Sequence, residues 1–97
     1  MYTVIDTIRI SKGLMEKDPD AWAKYKEEGL LIILDPNETK GIRPPLNATA
    51  IIERPDGSLI ELPIDRAEVS HGVLGLFFKG MTPQQIPSKS MAKWETE

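Results

Sequence analysis

The stretch LNATAIIERPDGSLIELPI, residues 46–64, decides the reading of the fold. Leu46, Ala48, Ala50 and Ile52 recur at every second position, and so do Ile60, Leu62 and Ile64 after a break. Strand side chains alternate with period two, so each run presents one apolar face. Between the runs, Pro55-Asp56-Gly57 combines a residue preset for a turn with one that tolerates positive φ. The segment predicts a β-hairpin: one strand over 46–54, then a second in which Ile60, Leu62 and Ile64 face the core.

The flanking sequence carries the same grammar. Residues 2–10 (YTVIDTIRI) place Tyr2, Val4, Ile8 and Ile10 on one strand face, interrupted by Asp6. Asp6 has two readings: a barrel mouth or bulge where its carboxylate reaches water or backbone N–H groups, or a polar binding feature. Leu30–Leu34 (LLIIL) is a continuous apolar run ended by Asp35-Pro36-Asn37, which predicts a strand buried on both sides with a helix over its outer face. Residues 38–45 read as loop. VLGLFF (73–78) is a second dense apolar strand, with Gly75 where a strand bends or a neighbour comes close. Thr82-Pro83-Gln84-Gln85 has the capping-box pattern for one helical turn ending near Ile86-Pro87. Ser90–Trp94 supplies a closing strand with Trp94 on the barrel floor, and Glu95-Thr96-Glu97 a frayed tail.

One helix interrupts the strands. Asp18-Pro19 pairs an N-cap with a proline at the first helical position, and the helix is expected to run to about Glu28. Gly29 then takes the left-handed position after its end, with Lys24 and Lys26 in the later turns where the helix dipole favours cations. Its apolar content is Ala21, Trp22, Ala23 and Tyr25. A helix of about three turns is unstable alone in water, so it leans on the sheet. Trp22 and Tyr25, three apart, either pack on the barrel or anchor a partner.

The 97 residues suit one domain spanning 1–97, and eight prolines with seven glycines supply many turn signals. Residues 1–45 hold seven basic and eight acidic side chains and residues 46–97 five and seven, for a net charge of −3. Neither half is a basic module, which lowers the expectation of nucleic-acid binding, and no DNA partner is expected. No cysteine is present, so there is no disulfide, thiol nucleophile or thiolate zinc site. No apolar run approaches a membrane span and no signal segment is seen, so the expectation is a cytoplasmic protein with no membrane partner. Asn37-Glu38-Thr39 and Asn47-Ala48-Thr49 match glycosylation sequons by chance in that setting.

The segment GVLGLFFKGM (72–81), followed by TPQQIP (82–87) and SMAKW (90–94), resembles the end of the second-domain β-barrel of translation elongation factor Tu and its relatives. There, an apolar strand with a glycine runs into a basic residue and a glycine, then a short helical turn, then a closing strand. Thr3–Ile10 followed by Ser11-Lys12-Gly13 is similar more loosely. The resemblance implies a mainly β fold, a small six-stranded antiparallel β-barrel with an inserted helix at about 14–29. It carries no catalytic atoms, and the family's GTPase domain has no counterpart because Gly-x-x-x-x-Gly-Lys-Ser/Thr is absent. In that family the barrel packs on the GTPase domain and helps hold RNA, so the resemblance implies docking.

The remaining chemistry is sparse. His71, the only histidine, lies beside Gly72 in an expected turn, and a zinc centre would lack further histidine or cysteine ligands. Ser70-His71 with Asp65 and Glu68 nearby lacks the elbow motif of a hydrolase. The acidic pairs Asp18/Asp20 and Glu27/Glu28 cap or solvate the helix, and Lys12-Gly13 reads as a turn. The expectation is a non-catalytic interaction module, not an enzyme, with no cofactor or metal, docking a protein partner through the helix and the loop 35–45. Candidate partner-binding residues are Trp22, Tyr25, Lys40, Arg43 and Lys79. The first alternative is an RNA-binding barrel using Lys12, Lys40, Arg43, Lys79, Lys89 and Lys93; the second is a small-ligand barrel or cryptic enzyme, with Asp6 its one inward polar group.

Overall fold

The computed structural model describes residues 1 to 96. In chain order the elements are β1 (Tyr2–Ile10), α1 (Lys12–Lys17), α2 (Pro19–Tyr25), β2 (Gly29–Leu34), α3 (Pro36–Thr39), β3 (Ala48–Glu53), β4 (Leu59–Pro63), β5 (Arg66–Ser70), β6 (Val73–Lys79) and β7 (Met91–Thr96). The fold is mainly β: one antiparallel sheet in the order β4-β3-β7-β1-β2-β6-β5. Seven strands are present where six were expected, and the sheet is not closed into a barrel, because no ladder joins β4 to β5 among the described residues.

The extra strand is β5. Its sequence, RAEVS, has only Ala67 and Val69 as apolar positions, too short an alternation to register as a strand. It pairs with β6 across a two-residue turn in which His71 and Gly72 both have positive φ, 53° and 76°. That backbone matches the right-handed twist of the flanking strands, which explains so tight a hairpin.

The sheet curls although it stays open. Val4, Leu30, Ile32, Leu34, Ala50, Ile52, Leu74, Leu76, Phe78, Ile86 and Ala92 form one buried cluster drawn from both halves of the sheet. The edge strands β4 and β5 are joined by Ile64 and Asp65 alone. Three peptide units reach at most about 11 Å, so the two edges meet at that end. Ile64 donates its N–H to Ala48 O at 3.0 Å and Asp65 to Phe77 O at 3.0 Å, tying the link to both halves.

β1 is the joint between the halves. Tyr2 and Thr3 pair with β7, while Val4 and residues from Asp6 onward pair with β2, with a register shift between Val4 and Asp6. That bulge reverses the faces: Val4 points into the main core, but Ile10 joins a second cluster on the outer face and Ile8 is 42% exposed. The expected single face of Tyr2, Val4, Ile8 and Ile10 is therefore split in two. Asp6 is exposed and accepts the Thr7 N–H at 2.8 Å, so it is a bulge residue and not an inward polar group.

β2 is buried on both sides, as its sequence predicts. Leu31 and Phe77 on its outer side meet Ile10, Met15 and Ala21 beneath the two helices. Lys12-Gly13 is not a turn but the start of α1, whose N-cap Ser11 accepts the Leu14 N–H at 3.2 Å. Asp18 caps α2 as expected, accepting from Asp20 and Ala21, and also ends α1. α2 stops at Tyr25, earlier than the expected Glu28, with Lys26 in the left-handed position (φ 60°). Gly29 is instead the first residue of β2, where an added Cβ would lie 2.4 Å from Phe78 O. Glycine is required there for close approach.

The hairpin β3–β4 forms with Ala48, Ala50 and Ile52 buried, but Leu46 precedes the strand and is 78% exposed. The expected loop at 38–45 begins with a turn of helix, α3, capped by Asp35. Thr82 and Gln85 form the capping box, the Thr82 N–H reaching Gln85 Oε1 at 3.0 Å. Trp94 is half-buried and stacks on Tyr2 with centroids 5.0 Å apart. Glu95 and Thr96 belong to β7 and are not a frayed end, while Glu97 lies outside the described residues.

Candidate functional site

The helical corner α1–α2 sits on the outer face of the sheet, and a helix of about two turns can face only a few of its side chains inward. Ala21 and Tyr25, four apart, take the inward positions; Ala21 is buried and Tyr25 packs against the same outer cluster. Trp22 is displaced by about 100° around the helix, at 3.6 residues per turn, and is 53% exposed. The two aromatics read as one face thus separate: Tyr25 packs, and Trp22 projects.

Trp22 forms one wall of an apolar groove of about 390 Å³, with Met15, Pro19, Lys12 and Glu16 as the rest of its lining. Met15 is only 3% exposed and makes the floor. That volume lies within the roughly 300–1,000 Å³ of sites that receive a ligand or side chains. On the other flank of the corner, Ile8 and Leu14 are also partly exposed.

Tyr25 ties the corner to the edge strand β5. Its ring lies 4.7 Å from that of Phe77, and its hydroxyl donates to Glu68 Oε1 at 3.1 Å. The second Glu68 oxygen lies 3.7 Å from Lys24 Nζ and 3.6 Å from Arg66 Nε. Burial, followed by the negative charge of Glu68 and the hydrogen bond to it, pushes the Tyr25 hydroxyl up to about 12. Beside this cluster opens a cleft of about 190 Å³ that Tyr25 and Lys79 both line.

Of the five expected partner-binding residues the structure brings Tyr25 and Lys79 together at one cleft, leaves Trp22 on the separate groove, and sets Lys40 and Arg43 apart from both. Lys79 pairs with Gly29 at the start of β2, the end at which Tyr25 sits. Lys40 and Arg43 are exposed but follow α3, beyond the opposite end of β2. Six strand residues separate the two groups by about 17 Å. The cations expected of an RNA-binding face divide likewise. Lys12 and Lys79 flank Glu28, whereas Lys89 bonds Val4 O at the other end of the strand. Lys24, Lys26, Arg66 and Glu68 were missed as site residues; the signal available was the cation pair at the end of α2.

His71 is exposed at its hairpin turn, 3.1 Å from Ser70 Oγ, and Asp65 accepts the Lys79 N–H at 2.9 Å, elsewhere in the hairpin. Among the described residues no three His, Cys, Asp or Glu side chains gather where they could hold a metal ion, and no helix is long and apolar enough to cross a membrane. No family model, curated protein or solved structure matches the chain.

Proposed function

We propose that this chain is a non-catalytic interaction module that docks a protein partner through the groove between α1 and α2, with Trp22 as its anchor. The observation that carries this reading is the half-exposed Trp22 standing over a groove floored by buried Met15. Tryptophan is enriched among residues that dominate binding energy, and helix-corner packing already holds its backbone in place. The groove is apolar with one cation and one anion on its rim, Lys12 and Glu16, which suits an apolar side chain of a protein more than a polyanion. The likeness of residues 72–94 to the barrel of elongation factor Tu supports a docking role within a translation-related, cytoplasmic assembly, and supports reading the curled sheet as a relative of that six-stranded barrel.

RNA binding is the rival reading, and the division of its cations between two ends of β2 weighs against it. A photoreactive benzoyl-phenylalanine at position 22, irradiated in a source-cell extract, tests the two together. The expected result is a specific protein adduct. An adduct with RNA alone, or adducts no more specific than those from the same group placed at Leu59, an exposed apolar residue on β4, would overturn the proposal.

A further inference from the structure

The cleft on the Tyr25 side of α2 has a different character from the Trp22 groove. Four cationic residues line it, Lys24, Lys26, Arg66 and Lys79, in a protein whose net charge is −3. Two of them are answered within the fold, since Lys24 and Arg66 both approach Glu68. The lining carboxylates are Glu27 and Asp65, and Asp65 already accepts the Lys79 N–H. Among the described residues, neither Lys26 nor Lys79 has a carboxylate within ion-pairing distance.

The backbone adds a second observation. Lys26 holds a left-handed conformation, φ 60°, at the end of α2, where glycine or asparagine is the usual occupant. A side chain there costs about 1 kcal/mol, and strain of this kind clusters at ligand sites. Lys26 thus lines the cleft from a backbone position that a glycine would have relaxed.

We infer that this cleft is a binding site for a small phosphate compound, held between Lys26 and Lys79 with Arg66 beneath. Ammonium groups serve phosphate as compact point charges, and a guanidinium adds forked donors. Size sets the class. A cavity of about 190 Å³ equals about six water volumes and falls short of the roughly 300 Å³ at which drug-sized ligands begin. It suits pyrophosphate or a small phosphate ester. The site is independent of partner docking, because Trp22 does not line it.

The test is a titration of the full chain with sodium pyrophosphate at about 20 mM ionic strength, followed by amide chemical shifts, with sodium chloride of matched ionic strength as reference. Surface ion pairing is screened by salt, so low ionic strength is the sensitive condition. Expected are saturable shifts confined to residues 24–27, 65–66 and 77–79, and at least about tenfold weaker binding in the Lys26→Gly, Lys79→Gln double variant. Lys26→Gly keeps the left-handed backbone, so the variant folds, as its unshifted core amides will report. Shifts spread over all cations, shifts without saturation, or unchanged affinity in the double variant would overturn the inference. The Lys40→Ala, Arg43→Ala variant serves as a control that retains binding.

Discussion

At the scale of single residues, glycine and tyrosine carry the sharpest consequences. An added Cβ on Gly29 would meet Phe78 O at 2.4 Å and Lys79 Cα at 2.8 Å, both backbone atoms that cannot turn aside. On Gly75 it would meet Leu31 Cδ1 at 3.2 Å, the tip of a side chain with rotamer freedom. Gly29→Ala is expected to cost about 3 kcal/mol or more and Gly75→Ala only about 1 kcal/mol, measured by urea denaturation. Equal costs would contradict the register of β2 against β6. Tyr25 gives a pH signature. Its folded value of about 12 exceeds the unfolded value of 10.0, so the folded chain keeps its proton more tightly. The stabilisation is therefore complete below pH 10 and lost as pH rises from about 10 to 12. Tyr25→Phe should remove that alkaline decline; a decline of the same size in the variant would place the titration elsewhere. The close approach at Gly75 was legible from its place in a dense apolar strand, whereas Gly29 reads as a helix-end glycine, because a glycine kept for close approach and one kept for a turn look alike until the neighbouring strand is in place.

Among the elements, the strands with clear alternation or dense apolar runs were legible, and those whose faces are set by tertiary context were not. β2, β4 and β6 lie where their residues predict, and β3 does so from Ala48 onward. β1 was read as one face because a bulge leaves no mark in periodicity: Asp6 signalled an interruption without telling that the following residues switch sides. β5 was invisible because an edge strand with one half-exposed face needs few apolar residues. Lys12-Gly13, the first residues of α1, reads as a turn although Ser11 is a sound N-cap, because Asp18-Pro19 is the stronger helix start. Asp18 therefore deserves a test of its own: its side chain holds the first turn of α2, so Asp18→Ala is expected to lower stability by about 1 kcal/mol in chemical denaturation. No loss would mean that the corner is held by packing of Met15 and Ala21 alone. The candidate site was half legible for the same reason. Trp22 and Tyr25 were singled out by residue type, but helical spacing of three suggested a shared face, while the sheet selected the spacing of four between Ala21 and Tyr25.

For the molecule as a whole, the curl of the sheet and its unjoined edges position everything else. Ile64 N–H bonds to Ala48 O, so along β4 the even-numbered amides face β3 and those of Leu59 and Glu61 face away. Pro63, the third outward position, has no N–H to offer, which blunts this edge against pairing. Hydrogen exchange should find the Leu59 and Glu61 amides fast and the amides of β2 among the slowest; protected outward amides would indicate a closed barrel. Closure was expected because the resemblance of residues 72–94 to a translation-factor barrel implied it, and nothing in a sequence states whether the first and last edges meet. The open sheet leaves its outer face free to carry the helical corner, and the functional reading rests on that corner. Its central claim is tested most directly by the affinity of the partner captured at position 22 for three purified proteins: the native chain, Trp22→Ala and Lys40→Ala, Arg43→Ala. The account predicts that Trp22→Ala weakens binding by about 30-fold, as for an interface hot spot, with unchanged folding, while the loop variant stays within about twofold. Full affinity in Trp22→Ala, with loss in the loop variant, would move the docking surface to the other end of the sheet and contradict it.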